Sequence, residues 1–233
     1  MSEKKSIIVQ GKTYYVKLEA HKDKRCFMDD ACFKFYLTRL KSCLDAYQIE
    51  LHCYALLPNK ILLLMSPSTP TGISSMMRVV GRAYANYFNQ RYDLKESLWQ
   101  GKYKSNLLKN DSFILDCYKY IETAPVRESL ASSPEKYQWS SYYINAFGGH
   151  GRALAMHDQY KIFGAESLNR FKHYRDFVAQ TYMITELCLT QHKMLYGCPL
   201  DSKVPKSTFP FNNWNPSFGS TKSEKPKEGE SSK

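Results

Sequence analysis

The chain changes its hydrophobic period several times, and each change marks an element. Residues 13–19, TYYVKLE, alternate apolar and polar side chains, as a strand with one buried face does. Over residues 29–47 the apolar positions Phe33, Tyr36, Leu37, Leu40, Leu44 and Tyr47 recur at steps of three and four, which predicts an amphipathic helix opening at an acidic cap. Two apolar runs, IELHCYALL and ILLLM, flank Pro58-Asn59, and a connection this short makes them antiparallel neighbours. A second helix over residues 73–92 carries Ile73, Met76, Met77, Val80, Tyr84, Tyr87 and Phe88 on one stripe. A strand at YKSNLLK and a helix over 112–123 complete the order β-α-β-β-α-β-α. That order predicts an α+β fold, a ferredoxin-like antiparallel sheet with helices packed on one face.

Beyond this unit the pattern weakens. SSPEKYQWSSYYINAFGGHG reads as a loop and a short helix, and residues 166–180 and 181–196 carry two more helical patterns, expected to form a C-terminal helical appendage. From about residue 202 the chain is rich in Pro, Ser, Asn and Lys without periodicity, the composition of a disordered tail. The expected division is therefore 1–150, 151–200 and 201–233.

Charge narrows the partners. Thirty-three basic against 22 acidic residues leave a net charge of +11, which points first to nucleic acid and second to an anionic membrane surface. No stretch approaches the roughly 18 apolar residues of a membrane span, and the N-terminus carries no long apolar leader, so no membrane role is expected. Seven cysteines, an odd number without a C-x-x-C pair, fit reduced buried thiols, and the expected location is the cytoplasm.

Two segments could carry chemistry. Arg78, Arg82, Arg91, Lys95, Lys102 and Lys104 are interleaved with Tyr84, Tyr87, Tyr92, Trp99 and Tyr103, a mixture suited to neutralising phosphates and stacking bases. The same charges also suit a solvated helix face, and Tyr84 and Tyr87 lie on the apolar stripe. In DSFILDCYKYIETAPVRESL the buried stripe Phe113, Ile114, Cys117, Ile121 leaves Tyr118 and Tyr120 on opposite flanks, so either hydroxyl could reach a groove. A phenol of pKa about 10 is a poor nucleophile unless a metal or cation supports the charge on the phosphate it attacks. Lys60, at the mouth of the apolar run ILLLM, is an isolated charge at a strand end.

Five motifs, LHCYALLPNKILLLMSP, VGRAYANYFNQRY, LWQGKYKS, CYKYIETAPVR and YQWSSY, in this order and spacing, make residues 13–147 resemble the REP-associated tyrosine transposases, a branch of the single-tyrosine HUH transposases of bacterial insertion sequences. LAMHDQYKIFG resembles the C-terminal extension of longer members. The resemblance implies a nuclease domain that binds hairpin DNA with adjoining single strands, as monomer or homodimer. It further implies cleavage of one strand through a covalent phosphotyrosine, with Mg2+ or Mn2+ as cofactor.

The chain departs from that pattern where the metal would bind. The two strand histidines of the family are replaced by Lys60 and Leu62, and the asparagine four residues after the tyrosine is Ala124, while the nucleophile position keeps Tyr120. Charged lysine and leucine offer no lone pair, so no metal cofactor is expected. His52 and Cys53, on the preceding strand, read better as packing residues than as substitutes. The leading expectation is a DNA-binding protein, using Arg78, Arg82, Arg91, Trp99, Lys102, Lys104 and Lys60, with weakened or lost catalysis at Tyr120. The alternatives are an active single-tyrosine nuclease rebuilt around Tyr120 and Lys60, and a basic RNA-binding protein.

Overall fold

The computed structural model of the chain describes residues 8–21, 24–149 and 154–180. Four strands, β1 (Tyr14–Glu19), β2 (Ile49–Leu57), β3 (Lys60–Pro67) and β4 (Lys104–Leu107), form an antiparallel sheet in the order β2-β3-β1-β4. The helices are α1 (Asp30–Leu44), α2 (Gly72–Tyr92), α3 (Ser112–Glu122), α4 (Ala124–Arg127), α5 (Tyr142–Phe147), α6 (Asp158–Lys161) and α7 (Ser167–Ala179). The α+β, ferredoxin-like order read from the sequence is the order observed. The cap foreseen for α1 is Asp29, whose carboxylate accepts from the Cys32 N–H at 3.0 Å.

Strand β3 organises the layers because it is apolar at every position from Ile61 to Met65. Ile61, Leu63 and Met65, with Val16 and Leu18 of β1, pack under Phe33, Tyr36 and Leu40 of α1 and Ile73, Met76, Val80 and Tyr84 of α2. Alternation sends Leu62 and Leu64 to the other face, where they are equally buried and where α3 lies against β2 and β3. The expected helices on one face are α1 and α2, and α3 adds a third layer on the opposite side.

Residues 154–180 complete that third layer. The Ala155 N–H donates to the Leu51 carbonyl at 2.8 Å, beside the bulge that places His52. Tyr118 is 1% exposed and stacks on Tyr160 at 5.7 Å, with Tyr174 edge-on at 6.2 Å. The flank position read for Tyr118 is thus an interior one, its ring packed against α6 and α7, and of the two tyrosines Tyr120 alone is partly exposed. The second predicted helix of the appendage, 181–196, and the tail fall outside the described residues.

Two polar clusters fasten this layer. At the first, the Gln159 N–H donates to His157 Nδ1 (3.0 Å), which makes His157 Nε2 the donor to Thr13 Oγ1 (2.9 Å). Thr13 can then donate to Ser66 Oγ (3.0 Å), Ser66 to His52 Nε2 (2.8 Å), and His52 Nδ1 to the Ala155 carbonyl (2.9 Å). Every proton has one place, and both imidazoles are neutral. Burial pulls His52 down to about 4, so His52 is a structural residue, as its packing reading anticipated.

At the second, the fully buried Glu122 carboxylate accepts from Ser141 Oγ (2.5 Å), Asn145 Nδ2 (2.7 Å) and the Tyr174 hydroxyl (2.5 Å), joining α3 to α5 and α7. Burial lifts Glu122 from 4.5 to about 7, against the pull of those three donors. Between these values the folded state alone holds the proton, so the group's contribution to stability falls as pH rises through the window. Chemical denaturation at pH 5 and pH 8 should therefore show Glu122→Gln gaining about 1–3 kcal/mol on the native chain at the higher pH and not at the lower. A constant difference at both pH values would contradict the assignment.

Candidate nucleic-acid site on the Tyr120 face

The face of the sheet turned toward α3 also carries charge at its open end. Because Val16 and Leu18 enter the α1/α2 core, Tyr15, Lys17 and Glu19 project to the other side. By the same alternation Lys60 and Leu62 project there from β3, and Lys104 from β4, directly opposite Lys17. Lys60 follows the Pro58-Asn59 turn and stands opposite Glu19. Its ammonium pairs with Glu128 at 2.6 Å, both side chains about one-third exposed or less, while Lys17 pairs with Glu19 at 2.9 Å.

Tyr120 overlooks this row from α3. Its ring meets Tyr15 edge-on at 6.3 Å. Pro125, at the start of α4, turns the chain back so that Arg127 reaches the ring, its guanidinium 4.1 Å from the centroid. Arg127 also donates to the Tyr120 carbonyl (2.7 Å) and to Thr123 Oγ1 (2.6 Å), which fixes it. Burial raises the Tyr120 phenol above its ordinary value, and the nearby Arg127 cation lowers it by less, so at neutral pH the hydroxyl is a protonated donor. Tyr15, more deeply buried and beside Tyr120, is raised further.

The positions where the resemblance places metal ligands do not fit a divalent ion. Leu62 is 2% exposed and Ala124 1%, both carbon side chains packed in the interior, and Lys60 presents an ammonium engaged by Glu128. Among the described residues no three His, Cys, Asp or Glu side chains gather as a potential metal site. His52 is committed to Ser66 and Ala155, and Cys53 is buried with its thiol pushed up by burial.

The remaining sequence candidates divide between two surfaces. Arg78 and Arg82 are exposed on α2, which covers the face of the sheet away from Tyr120. Trp99 is tied to the same helix, its indole N–H donating to the Gly81 carbonyl at 2.9 Å and its ring 5.8 Å from Tyr84. Arg91 is engaged by Asp29 at 2.7 Å and holds the start of α1 to the end of α2. Lys102 is exposed in the loop after Gly101, where φ is +79° and glycine suits the turn itself. Of the predicted group, the fold brings Lys60, Lys104 and Tyr120 to one face, with Leu62 and Ala124 buried beneath it. Lys17, Arg127 and Glu128 were missed. Lys17 was readable from the alternation of TYYVKLE, whereas nothing in the APVRE segment alone announces that Arg127 returns to Tyr120.

Known proteins share part of the sequence pattern and the fold. Residues 12–124 match the family model for IS200-like transposases. Among solved structures, a REP-associated tyrosine transposase bound to a REP hairpin shares the fold at a TM-score of 0.54, with 16% identity over 67% of this chain and 93% of that one. Two further structures score below 0.5 and carry no argument. One is a chain from Deinococcus radiodurans R1 assigned as a transposase (0.37, 16% identity, 53% and 97% coverage). The other is the tRNA(His) guanylyltransferase of Saccharomyces cerevisiae (0.41, 12% identity, 76% and 82% coverage). No curated protein matches the chain. Residues 12–124, which hold the sheet and helices α1 to α3, thus form a segment of the IS200-like transposase family, on a fold shared with the hairpin-bound transposase.

Proposed function

We propose that the chain is a DNA-binding protein of the REP-associated transposase branch, taking hairpin or single-stranded DNA on the Tyr120 face, with phosphotyrosine chemistry weakened or lost. One observation carries this reading. Tyr120 keeps a place at the surface beside cations, while Lys60, Leu62 and Ala124 leave it without a ligand set for the metal that would support charge on a scissile phosphate. A protonated phenol and a fixed guanidinium bind phosphate well, and they attack it poorly. The hairpin held by the transposase of like fold supports DNA as the partner, as does the net charge of +11.

Incubation with hairpin DNA and manganese, followed by denaturing electrophoresis, should give no protein–DNA adduct. An adduct that Tyr120→Phe abolishes would overturn the loss of chemistry and establish the rebuilt nuclease instead.

Binding should weaken linearly in log–log form as salt rises, since phosphate contacts release counterions. The division of cations between two surfaces makes the expectation specific. Lys104→Ala should flatten the slope by about 0.7–0.9, the share of one phosphate contact, and Arg82→Ala should leave it nearly unchanged. Equal effects of both substitutions would place DNA on the α2 surface as well.

A further inference from the structure

The charge pattern of the Tyr120 face is unfavourable for a sheet that has only itself to satisfy. Lys17 and Lys104 stand directly opposite each other on β1 and β4, and like charges so placed destabilise a strand pair. One carboxylate, Glu19, pairs with Lys17, and Lys104 has no ion-pair partner among the described residues. One strand further in, Lys60 would repeat the excess were it not held by Glu128. Arg127 adds a fourth cationic group, whose guanidinium carries five N–H donors, with Thr123, the Tyr120 carbonyl and the Tyr120 hydroxyl among its partners. The Tyr120 hydroxyl is a protonated donor beside it.

A surface that concentrates cations in this way is built for an anion, and Glu128 is the anion resident at Lys60. Its carboxylate belongs to the exposed segment after α4, not to the sheet, so it can leave without disturbing the core. We propose that the Tyr120 face grips a DNA phosphate directly and without metal, Lys60 and Arg127 holding it and Glu128 acting as the internal anion that the phosphate displaces. Lys17 and Lys104 then lie along the same face for the neighbouring phosphate. Tyr120 serves this grip as a hydrogen-bond donor. The inference rests on the proposed DNA partner and goes beyond it by naming the residues that exchange one anion for another.

The exchange has a signature that general basicity lacks. In the native chain Lys60 trades a carboxylate for a phosphate and releases little salt, whereas with Glu128→Gln the same contact releases condensed counterions. Fluorescence anisotropy with a labelled hairpin carrying a single-stranded flank, in buffer containing a metal chelator, reads both effects. The native chain should bind without metal. Glu128→Gln should tighten binding about fivefold, the scale of one exposed ion pair, and steepen the salt slope by up to about 0.9. Lys60→Ala should weaken binding, and adding Glu128→Gln to it should restore nothing. Arg127→Ala should weaken binding, and Arg127→Lys should recover it only in part, because the ammonium lacks the planar fork. The inference is overturned if Glu128→Gln leaves affinity unchanged, if it tightens binding as much when Lys60 is absent, or if native binding requires a divalent metal. If no variant binds hairpin DNA, the DNA reading itself falls and this one with it. Native binding that ignores Glu128 sinks this inference alone.

Discussion

The burial of β3 on both faces is the constraint from which the rest of the structure follows. A strand reading Ile-Leu-Leu-Leu-Met cannot present either side to water, so the chain must supply two covering layers. Helices α1 and α2 supply one with a single continuous aromatic and aliphatic core. The second is assembled from shorter pieces, α3 with its apolar stripe and the segments up to α7, and is fastened by buried polar contacts at Glu122 and along the His52–His157 chain. Each such group would cost stability if left unpaired, and each is satisfied by a residue distant in sequence. Those contacts fix α3 in place, and with it Tyr120.

The same alternation that buries Leu62 and Leu64 delivers Lys60, Lys17 and Lys104 to the open end of that face. The sheet tolerates the resulting repulsion because Glu19 and Glu128 offset part of it. A tyrosine stands over this row, held by a guanidinium that cannot move without losing two hydrogen bonds, and the proposed function has it meet a phosphate without cleaving it. The two properties have different origins. Placement comes from α3 and the sheet within residues 12–124, whereas Lys60, Leu62 and Ala124 offer no donor set that fits a divalent metal.

Most of the sheet and both long helices were legible because their periods are strong and their caps and turns lie next to them, as Asp29 does for α1 and Pro58-Asn59 for the hairpin. The second layer was not. Tyr118 and Tyr120 look equivalent on a helical wheel of α3, and only the packing of Tyr160 and Tyr174 makes one interior and the other accessible. In the same way, the basic residues of α2 and the loop before β4 form one cluster in sequence and two surfaces in space. Arg91 and Trp99 show that a charged or aromatic side chain in such a cluster can be committed to Asp29 or Gly81. The departures at Lys60, Leu62 and Ala124 from the pattern of the resembled family were readable at once, since each is a single position within a short motif. Arg127 and Glu128 were not, because their partners, Tyr120 and Lys60, are brought to them by the turn at Pro125 and by the sheet.

The central claim is that DNA meets the α3 side of the sheet and not the outer surface of α2. Amide hydrogen exchange, compared with and without hairpin DNA in the presence of chelator, tests it most directly. The account predicts slowed exchange in β4, at the turn leading into Lys60 and through residues 123–128, with the amides around Arg78 and Arg82 unchanged. Protection confined to α2, with residues 123–128 exchanging as in the free protein, would contradict it.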